Sequence, residues 1–492
     1  MTEQFDVGGV PAVFAPAAGP THAGLVFRVG VADEPLPHRG ITRLVEHLVP
    51  AGHGATGTEH TFFHVHGTAD EVRAFLAEIC ATLRDPSAER IVIARERMRS
   101  GRPGADLLPM WRYGARGFGM PSYPEFGLEG VGDERLRDWI GRYFTRGNAA
   151  LWVAGDAIPD GLTLDLPDGE RRPAPAPSSA PLVTPACFTG PGDGVAWDTV
   201  VRREPRAAVF ANVLERRMLQ ELRDRDGISS TVTTDYEPRA DGSARITAHA
   251  GAPPEKRDAL LGGMVDVLAG MRAGRFDEED VAAVVALTRD GLRDAESRGG
   301  RLPGQAFNLL AGRPVQSLEE ALAELDTVTR DGVAEVAGAA YEAGLLMAPT
   351  GTGADWAGYT EVPATSDSVV EGTPHPAINR TDCRLVHGAE GISVVSGEDR
   401  ATVRYAECVA LLAWADGGRQ LIGPDGIAVR VEPTLYEDVA PVLRDVDARL
   451  PAELRVDLPA RPADRIPSPP PSPAEPVGRP WWRRLRRRRA NG

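Results

Sequence analysis

Cysteine is scarce in this chain, lysine is nearly absent, and no long apolar run occurs anywhere. The four cysteines in 492 residues, Cys80, Cys187, Cys383 and Cys408, lie far apart and form no CxxC pair. That spacing excludes a cysteine-built metal site or a disulfide scaffold and fits a reducing cytosol. No stretch approaches the ~18 consecutive apolar residues that a membrane span needs. The opening MTEQFDVGGV holds two acids and no basic-plus-apolar stretch, which predicts no secretory signal and a cytoplasmic protein. Lys256 is the single lysine, so 54 of the 55 basic residues are arginines. With abundant Ala, Gly and Pro, this matches the codon bias of a GC-rich bacterial genome and carries no chemistry. What remains is ordinary for a globular chain, 42% hydrophobic and 25% charged residues, which excludes a wholly disordered or fibrous protein. The net charge of −15 argues against nucleic acid as a partner.

At roughly 150 residues per domain, the length predicts about three domains. Residues 1–165 read as an α/β unit. Leu25–Val29 and His60–His66 are strand candidates, Gly67 ends the second, and Asp70 is placed to cap a helix burying Val72, Phe75, Leu76, Ile79 and Leu83. Residues 166–192, rich in Pro, Ala and Ser, read as an extended linker. Residues 193–348 form a second α/β unit. It has a helix around Ala207–Arg225, a strand Arg245–Ala250, Gly251, and a helix carrying Leu260, Leu261, Met264, Val265 and Leu268. The shared order of strand, glycine and amphipathic helix predicts a duplicated domain. Residues 349–376 read as a polar connector. Residues 377–465 read as a small β-rich domain with turns at Asp416-Gly417-Gly418 and Pro424-Asp425-Gly426 and one short helix (Val439, Val442, Leu443, Val446). It loosely resembles a pleckstrin-homology-like module. Residues 466–492 read as a disordered Pro-rich, then Arg/Trp-rich tail, in which Trp481 and Trp482 stand among seven arginines.

The informative stretch is Gly40-Ile-Thr-Arg43-Leu-Val-Glu46-His47-Leu48. It resembles the metal helix of the insulinase/pitrilysin metallopeptidases, the inverzincins, whose motif is H-x-x-E-H. There two histidines four apart on one helix face hold zinc, the glutamate polarises the attacking water, and a distant glutamate is the third ligand. Ala55–Thr61 resembles the family's segment after that helix, and Asn148–Asp156 resembles a strand near the domain's end. Leu222-Arg223-Asp-Arg-Asp-Gly227-Ile-Ser-Ser230 resembles the second domain's L-R-x-x-x-G-x-x-Y segment, whose Arg and Tyr hold substrate backbone in active members. The resemblance spans residues 5–348 and implies an α+β fold: two homologous insulinase-type α/β domains, sheets covered by helices, followed by the small β-rich domain.

The motif is degenerate here. Arg43 occupies the first ligand position, and a guanidinium has no lone pair to give zinc. His47 matches the second ligand, Glu46 the water-activating base, and Glu96 the third ligand, with Glu89 as the alternative. Ser230 stands where the substrate-binding Tyr is expected. Six of the ten histidines (His38, His47, His53, His60, His64 and His66) fall between positions 38 and 66, and His64 and His66 share a strand face. They allow a rebuilt site, although solvent-facing strand residues explain them as well. Arg43 is expected to set its charge against Glu46 and Glu96. The resemblance then implies a non-catalytic, zinc-free subunit that holds peptide or a protein partner, such as a catalytic homologue or a second copy, as paired members of the family do. Two alternatives stay open. One is an active zinc endopeptidase using Glu46, His47, Glu96 and a recruited histidine. The other is a membrane-peripheral adaptor, in which the C-terminal domain and the Trp481/Trp482/Arg tail meet an anionic membrane surface.

Overall fold

Strict alternation builds the first sheet. In the strand Thr61–Gly67, Thr61, Phe63 and Val65 are buried while Phe62 and His64 are half-buried and His66 is exposed, the period-2 pattern of a strand with two unlike faces. The computed structural model describes residues 2–49, 53–100, 106–176 and 183–471. It holds two compact units, one running to Pro363 and including Pro424–Gly426, the other made of Ala364–Gly423 and the chain from Ile427.

The first unit contains two six-stranded sheets. The first is formed by β1 (Glu3–Val7), β2 (Val10–Pro16), β3 (Thr21–Phe27), β4 (Gly54–Thr56), β5 (Thr61–Gly67) and β6 (Ala149–Gly155) in the order β1-β2-β6-β3-β5-β4. The pair β2/β6 is parallel and the other neighbours are antiparallel. Between these strands run α1 (Ile41–Glu46), α2 (Ala69–Arg84), α3 (Ala88–Ser100), α4 (Leu108–Tyr113), α5 (Gly127–Gly130) and α6 (Asp133–Tyr143). One face of α2 buries Val72, Phe75, Leu76, Ile79 and Leu83. Its start differs from the sequence expectation. Thr68 is the cap, its hydroxyl accepting from the Glu71 N–H while the Glu71 carboxylate accepts from the Thr68 N–H at 2.8 Å. This reciprocal pair satisfies two helix-end donors, which Asp70, one residue inside the helix, is not placed to do.

The second sheet repeats the first. Its strands are β7 (Ala186–Thr189), β8 (Val195–Arg202), β9 (Thr231–Pro238), β10 (Ser243–Gly251), β11 (Leu345–Ala348) and β12 (Thr360–Glu361), in the order β12-β7-β11-β8-β10-β9. Replacing β2-β6-β3-β5-β4 by β7-β11-β8-β10-β9 keeps every neighbour and every direction, including the parallel pair β7/β11. Gly67 and Gly251 end equivalent strands. Only the outer edge differs, because β1 is antiparallel to β2 whereas β12 runs parallel to β7. The helices are α7 (Pro205–Met218), which continues as a π-helical turn Leu219–Arg225, then α8 (Arg257–Arg272), α9 (Glu278–Ser297), α10 (Leu302–Leu310), α11 (Leu318–Asp326) and α12 (Arg330–Glu342). β7 lies within the segment expected as a linker, and β12 within the expected connector. Short strands among Pro and Gly leave little compositional trace.

Two features join these domains. α10 lays Leu302, Ala306 and Leu310 against Val13, Ala15, Val26 and Trp152 on the back of the first sheet. Arg112, at the end of α4, reaches Asp198 on β8 with Nε 2.9 Å from Oδ1, and Arg245 on β10 donates to Oδ2 at 2.9 Å. Burial alone would raise the Asp198 carboxyl, but the two guanidiniums outweigh it and hold it below the usual carboxylate range.

In the second unit, β13 (Gly372–Ala377), β14 (Arg380–Gly388), β15 (Gly391–Ser396) and β16 (Asp399–Arg404) form an antiparallel meander. β17 (Ala410–Trp414), β18 (Arg419–Ile422), β19 (Ala428–Val431) and β20 (Arg455–Leu458) form a second sheet in the order β19-β18-β17-β20, with α13 (Ala440–Arg449) before the last strand. Leu385, Ile392, Val403, Leu421, Val429 and Val446 share its core. The turn after Trp414 needs Gly417, whose φ is +103°. The fold is therefore α+β, with two sheet-and-helix domains of one connectivity and a small β-rich C-terminal domain. The expectations for Trp481, Trp482 and the tail arginines lie outside the described residues. No helix among the described residues is long and apolar enough to cross a membrane. All four cysteines are buried and unbridged.

Candidate functional site

The start of α1 is built by a buried carboxylate. Glu34 Oε2 accepts from the Gly40 N–H at 2.8 Å and from Arg39 at 3.0 Å, and Oε1 accepts from the Thr42 N–H at 2.8 Å. It thereby satisfies donors that a helix start leaves open. Burial pushes the Glu34 carboxyl up, and Arg39 and the two backbone donors pull against that rise. Gly40 turns the chain into the helix at φ +100°, and a Cβ there would stand 2.9 Å from the Glu125 Cβ. The close approach of Glu125 is what shapes the site.

Arg43, Glu46 and His47 fall together at the end of α1. Arg43 donates to both oxygens of Glu125, at 3.1 and 3.2 Å, and its Nε stands 3.4 Å from His47 Nε2. The ion pair expected with Glu46 and Glu96 is thus made with Glu125, 82 positions along the chain, which no local spacing reveals. Glu46 instead accepts from the Thr56 hydroxyl at 2.8 Å, and its Oε1 lies 4.0 Å from His47 Nδ1. Burial raises the Glu46 carboxyl, opposed by Thr56 and Arg43. His47 is pushed down to about 4, first by burial and then by Arg43 and Arg97. Arg97 on α3 also reaches the His47 and Val49 carbonyls, at 3.4 and 3.3 Å.

This donor set does not suit zinc. Beside one imidazole and the Glu46 carboxylate a cation would meet two guanidiniums, and one nitrogen of that imidazole already faces the Arg43 Nε–H. Glu96, expected as third ligand, points outward with its side chain 75% exposed and pairs with Arg99 at 3.0 Å. Glu89 is exposed on the same helix. In the second domain, Arg223 lies exposed in the π-helical turn and pairs with its neighbour Asp224. Ser230 is exposed just before β9, its N–H donating to the Gly251 carbonyl at 3.3 Å. His64 and His66 project from the face of the first sheet opposite the core that Ile41, Leu44 and Val45 of α1 enter, so they do not complete a site with His47.

Sequence reasoning missed Glu59. It is 3% exposed, its Oε2 accepts from the Ala240 N–H of the second domain at 3.0 Å, and Oε1 has no hydrogen-bond partner in the protein. Burial pushes its carboxyl up to about 7 against Arg28 and Arg239. Its burial is created by the other domain, so no local pattern marks it.

No family profile matches the chain, and no curated protein matches it. Solved structures do. A protease from Helicobacter pylori superposes with a TM-score of 0.58 at 14% identity, over 71% of this chain and 99% of that one. The peptidase M16 inactive domain from Pseudomonas fluorescens gives 0.56 at 14% identity, over 71% and 97%. A chain of Complex III2 from Candida albicans, Inz-5 bound, gives 0.58 at 12% identity, over 70% and 95%. Two sheets of one connectivity, the helix-borne Arg43-Leu-Val-Glu46-His47 and these superpositions converge on one statement: the chain has the fold of the insulinase/M16 peptidases.

Proposed function

We propose that this chain is a non-catalytic insulinase-fold subunit that holds peptide or a protein partner and whose α1 site binds no metal. The observation that carries the reading is Arg43. It occupies the first ligand position, its guanidinium is anchored on Glu125, and with Arg97 it sets two guanidiniums against His47. Arg223 keeps the arginine of the family pattern, but exposed Ser230 lacks the phenol that the pattern places against substrate backbone. An inactive M16 domain among the similar folds is consistent with such a role. The partner is a catalytic homologue or a second copy, and the compartment is the cytoplasm. The test is hydrolysis of a mixed peptide library by the full chain in zinc-supplemented buffer, beside Glu46→Gln. No cleavage above the background shared by both proteins is expected. Cleavage that Glu46→Gln abolishes overturns the reading in favour of a zinc endopeptidase.

The C-terminal unit supports an additional role at membranes. A four-stranded meander, a three-stranded one and then a single helix is the element order of a pleckstrin-homology-like module, although β20 adds a strand after the helix. With the Trp481/Trp482/Arg tail, this favours peripheral contact with an anionic surface. Truncation after Val477 should abolish binding to phosphatidylserine-containing vesicles at low salt and leave Tm unchanged. Full-length protein that ignores such vesicles removes this role.

A further inference from the structure

The face of the first sheet turned away from α1 and α2 carries three imidazoles that the α1 site does not use. β3 and β5 place His22 directly opposite His66 and Gly24 opposite His64. Ala23, Leu25, Phe27, Phe63 and Val65 enter the helix-covered core, so alternation sends His22, His64 and His66 to the other face. There the rings of His22 and His66 stack with centroids 3.8 Å apart. His64 stands edge-on to both, 5.5 Å from His22 and 6.3 Å from His66. One ring nitrogen of each lies within 4.8 Å of the other two.

Two of the rings are left with unmet polar atoms. His22 Nε2 and His64 Nδ1 are buried and have no hydrogen-bond partner in the protein, so neither recovers the hydration it loses on burial. The wall beside them is apolar. Trp152 fills the space over Gly24, where a Cβ would fall 2.3 Å from the indole, and meets His22 edge-on at 6.1 Å. Phe62 lies 5.8 Å from His64. The opposite side is open, because His66 is exposed. Burial first, then His66 and His64, push the His22 imidazole down to about 4, so it is neutral at neutral pH. A neutral imidazole keeps one ring-nitrogen lone pair to give to a metal. The neighbours acting on His22 are imidazoles, whereas guanidiniums act on His47.

We propose that His22, His64 and His66 form a binding site for a borderline divalent transition-metal ion, Zn2+ foremost, with a further coordination position open to solvent. Imidazole nitrogen suits zinc, copper and nickel rather than the oxygen-seeking magnesium or calcium. Three protein nitrogens with one open position are the donor count of zinc sites that bind an exchangeable water or carboxylate. The Trp152 indole, seated over Gly24, forms the apolar wall against which His22 and His64 converge.

The experiment uses the full chain, stripped with EDTA and titrated with Zn2+ against a chromophoric indicator and with Co2+ by visible absorption. One equivalent is expected, with d–d bands that shift when acetate is added. His64→Ala and His66→Ala should each weaken binding at least roughly tenfold, the loss that even outer-shell changes bring. His66 is exposed, so His66→Ala should keep the metal-free Tm while losing the rise that Zn2+ gives the parent protein. His47→Ala should bind as the parent does. Absence of stoichiometric binding, or binding that survives His64→Ala and His66→Ala together, overturns the site and leaves the reading of α1 untouched. Binding abolished by His47→Ala overturns both.

Discussion

The two α/β domains share one connectivity but fill it differently. At the middle of the first sheet, Leu25, Val26 and Phe27 of β3 are all buried and apolar. At the middle of the second, β8 carries Asp198, fully buried and clamped by Arg112 and Arg245. The helix that follows each of these strands differs too. α1 is a six-residue helix set by a buried Glu34, whereas α7 is a fourteen-residue helix with an apolar face of Val209, Phe210, Val213 and Leu214. The lesson is that alternation and turn placement specify the duplicated topology. What each copy buries at its centre is free to diverge, provided every charge finds a partner.

The largest expected effect tests that difference directly. Asp198→Ala leaves buried Arg112 without a carboxylate and Arg245 with Asp106 alone, and should cost ~3–5 kcal/mol in urea unfolding. A loss below ~1 kcal/mol would mean that water reaches the cluster and that the two sheets are alike. Next comes the contact between domains at Glu59. Its folded-state pKa, about 7, lies above the ordinary 4.5. Its contribution is therefore complete below pH 4.5 and lost as pH rises through 7, a change of up to ~3 kcal/mol. Glu59→Gln should flatten that decline in Tm between pH 5 and 8. His47, depressed to about 4, works in the opposite sense. Its contribution is present above pH ~6.5 and lost as pH falls towards 4, so His47→Gln should flatten the acid limb. An unchanged alkaline limb in Glu59→Gln would show that the two domains do not bury this carboxyl in solution.

Gly40→Ala should cost ~1–3 kcal/mol by thermal unfolding, since it forces a side chain to φ +100° beside Glu125. Equal stability would mean that the Glu34 cap tolerates a shifted α1. The smallest effect contrasts the helices that follow the equivalent glycines. Thr68→Ala should cost ~1 kcal/mol because its hydroxyl caps α2. Lys256→Ala, at the uncapped start of α8, should stay within ~0.5 kcal/mol. Equal losses would show that the Thr68–Glu71 pair adds nothing.

Much of this was legible in the sequence. The repeated strand, glycine and helix around Gly67 and Gly251, the apolar positions of α2 and α8, the turn glycine Gly417 and the grouping of Arg43, Glu46 and His47 are all local patterns. They depend on residues within a few positions of one another, where strand and helix periods act. Sequence alone points to Asp70 rather than Thr68 as the cap, because a capping box is recognised only when its partner three residues on is considered. β7 and β12 read as linker in the sequence, because short strands in Pro- and Gly-rich segments are specified by the sheet they join. Glu96 is the family-based match for the third ligand, but α3 turns it to solvent, where it pairs with Arg99.

By itself, then, the sequence determined the two-domain α+β plan, its order, and the chemical fact that an arginine stands at a ligand position. The tertiary structure alone decided which charge answers that arginine. It also decided that Glu59 is buried by the other domain, and that His22 meets His64 and His66 across two strands. The physical reason is range. Backbone preferences and apolar periodicity act over a few residues, whereas ion pairs, desolvation and side-chain convergence depend on distances that only the packed sheets set.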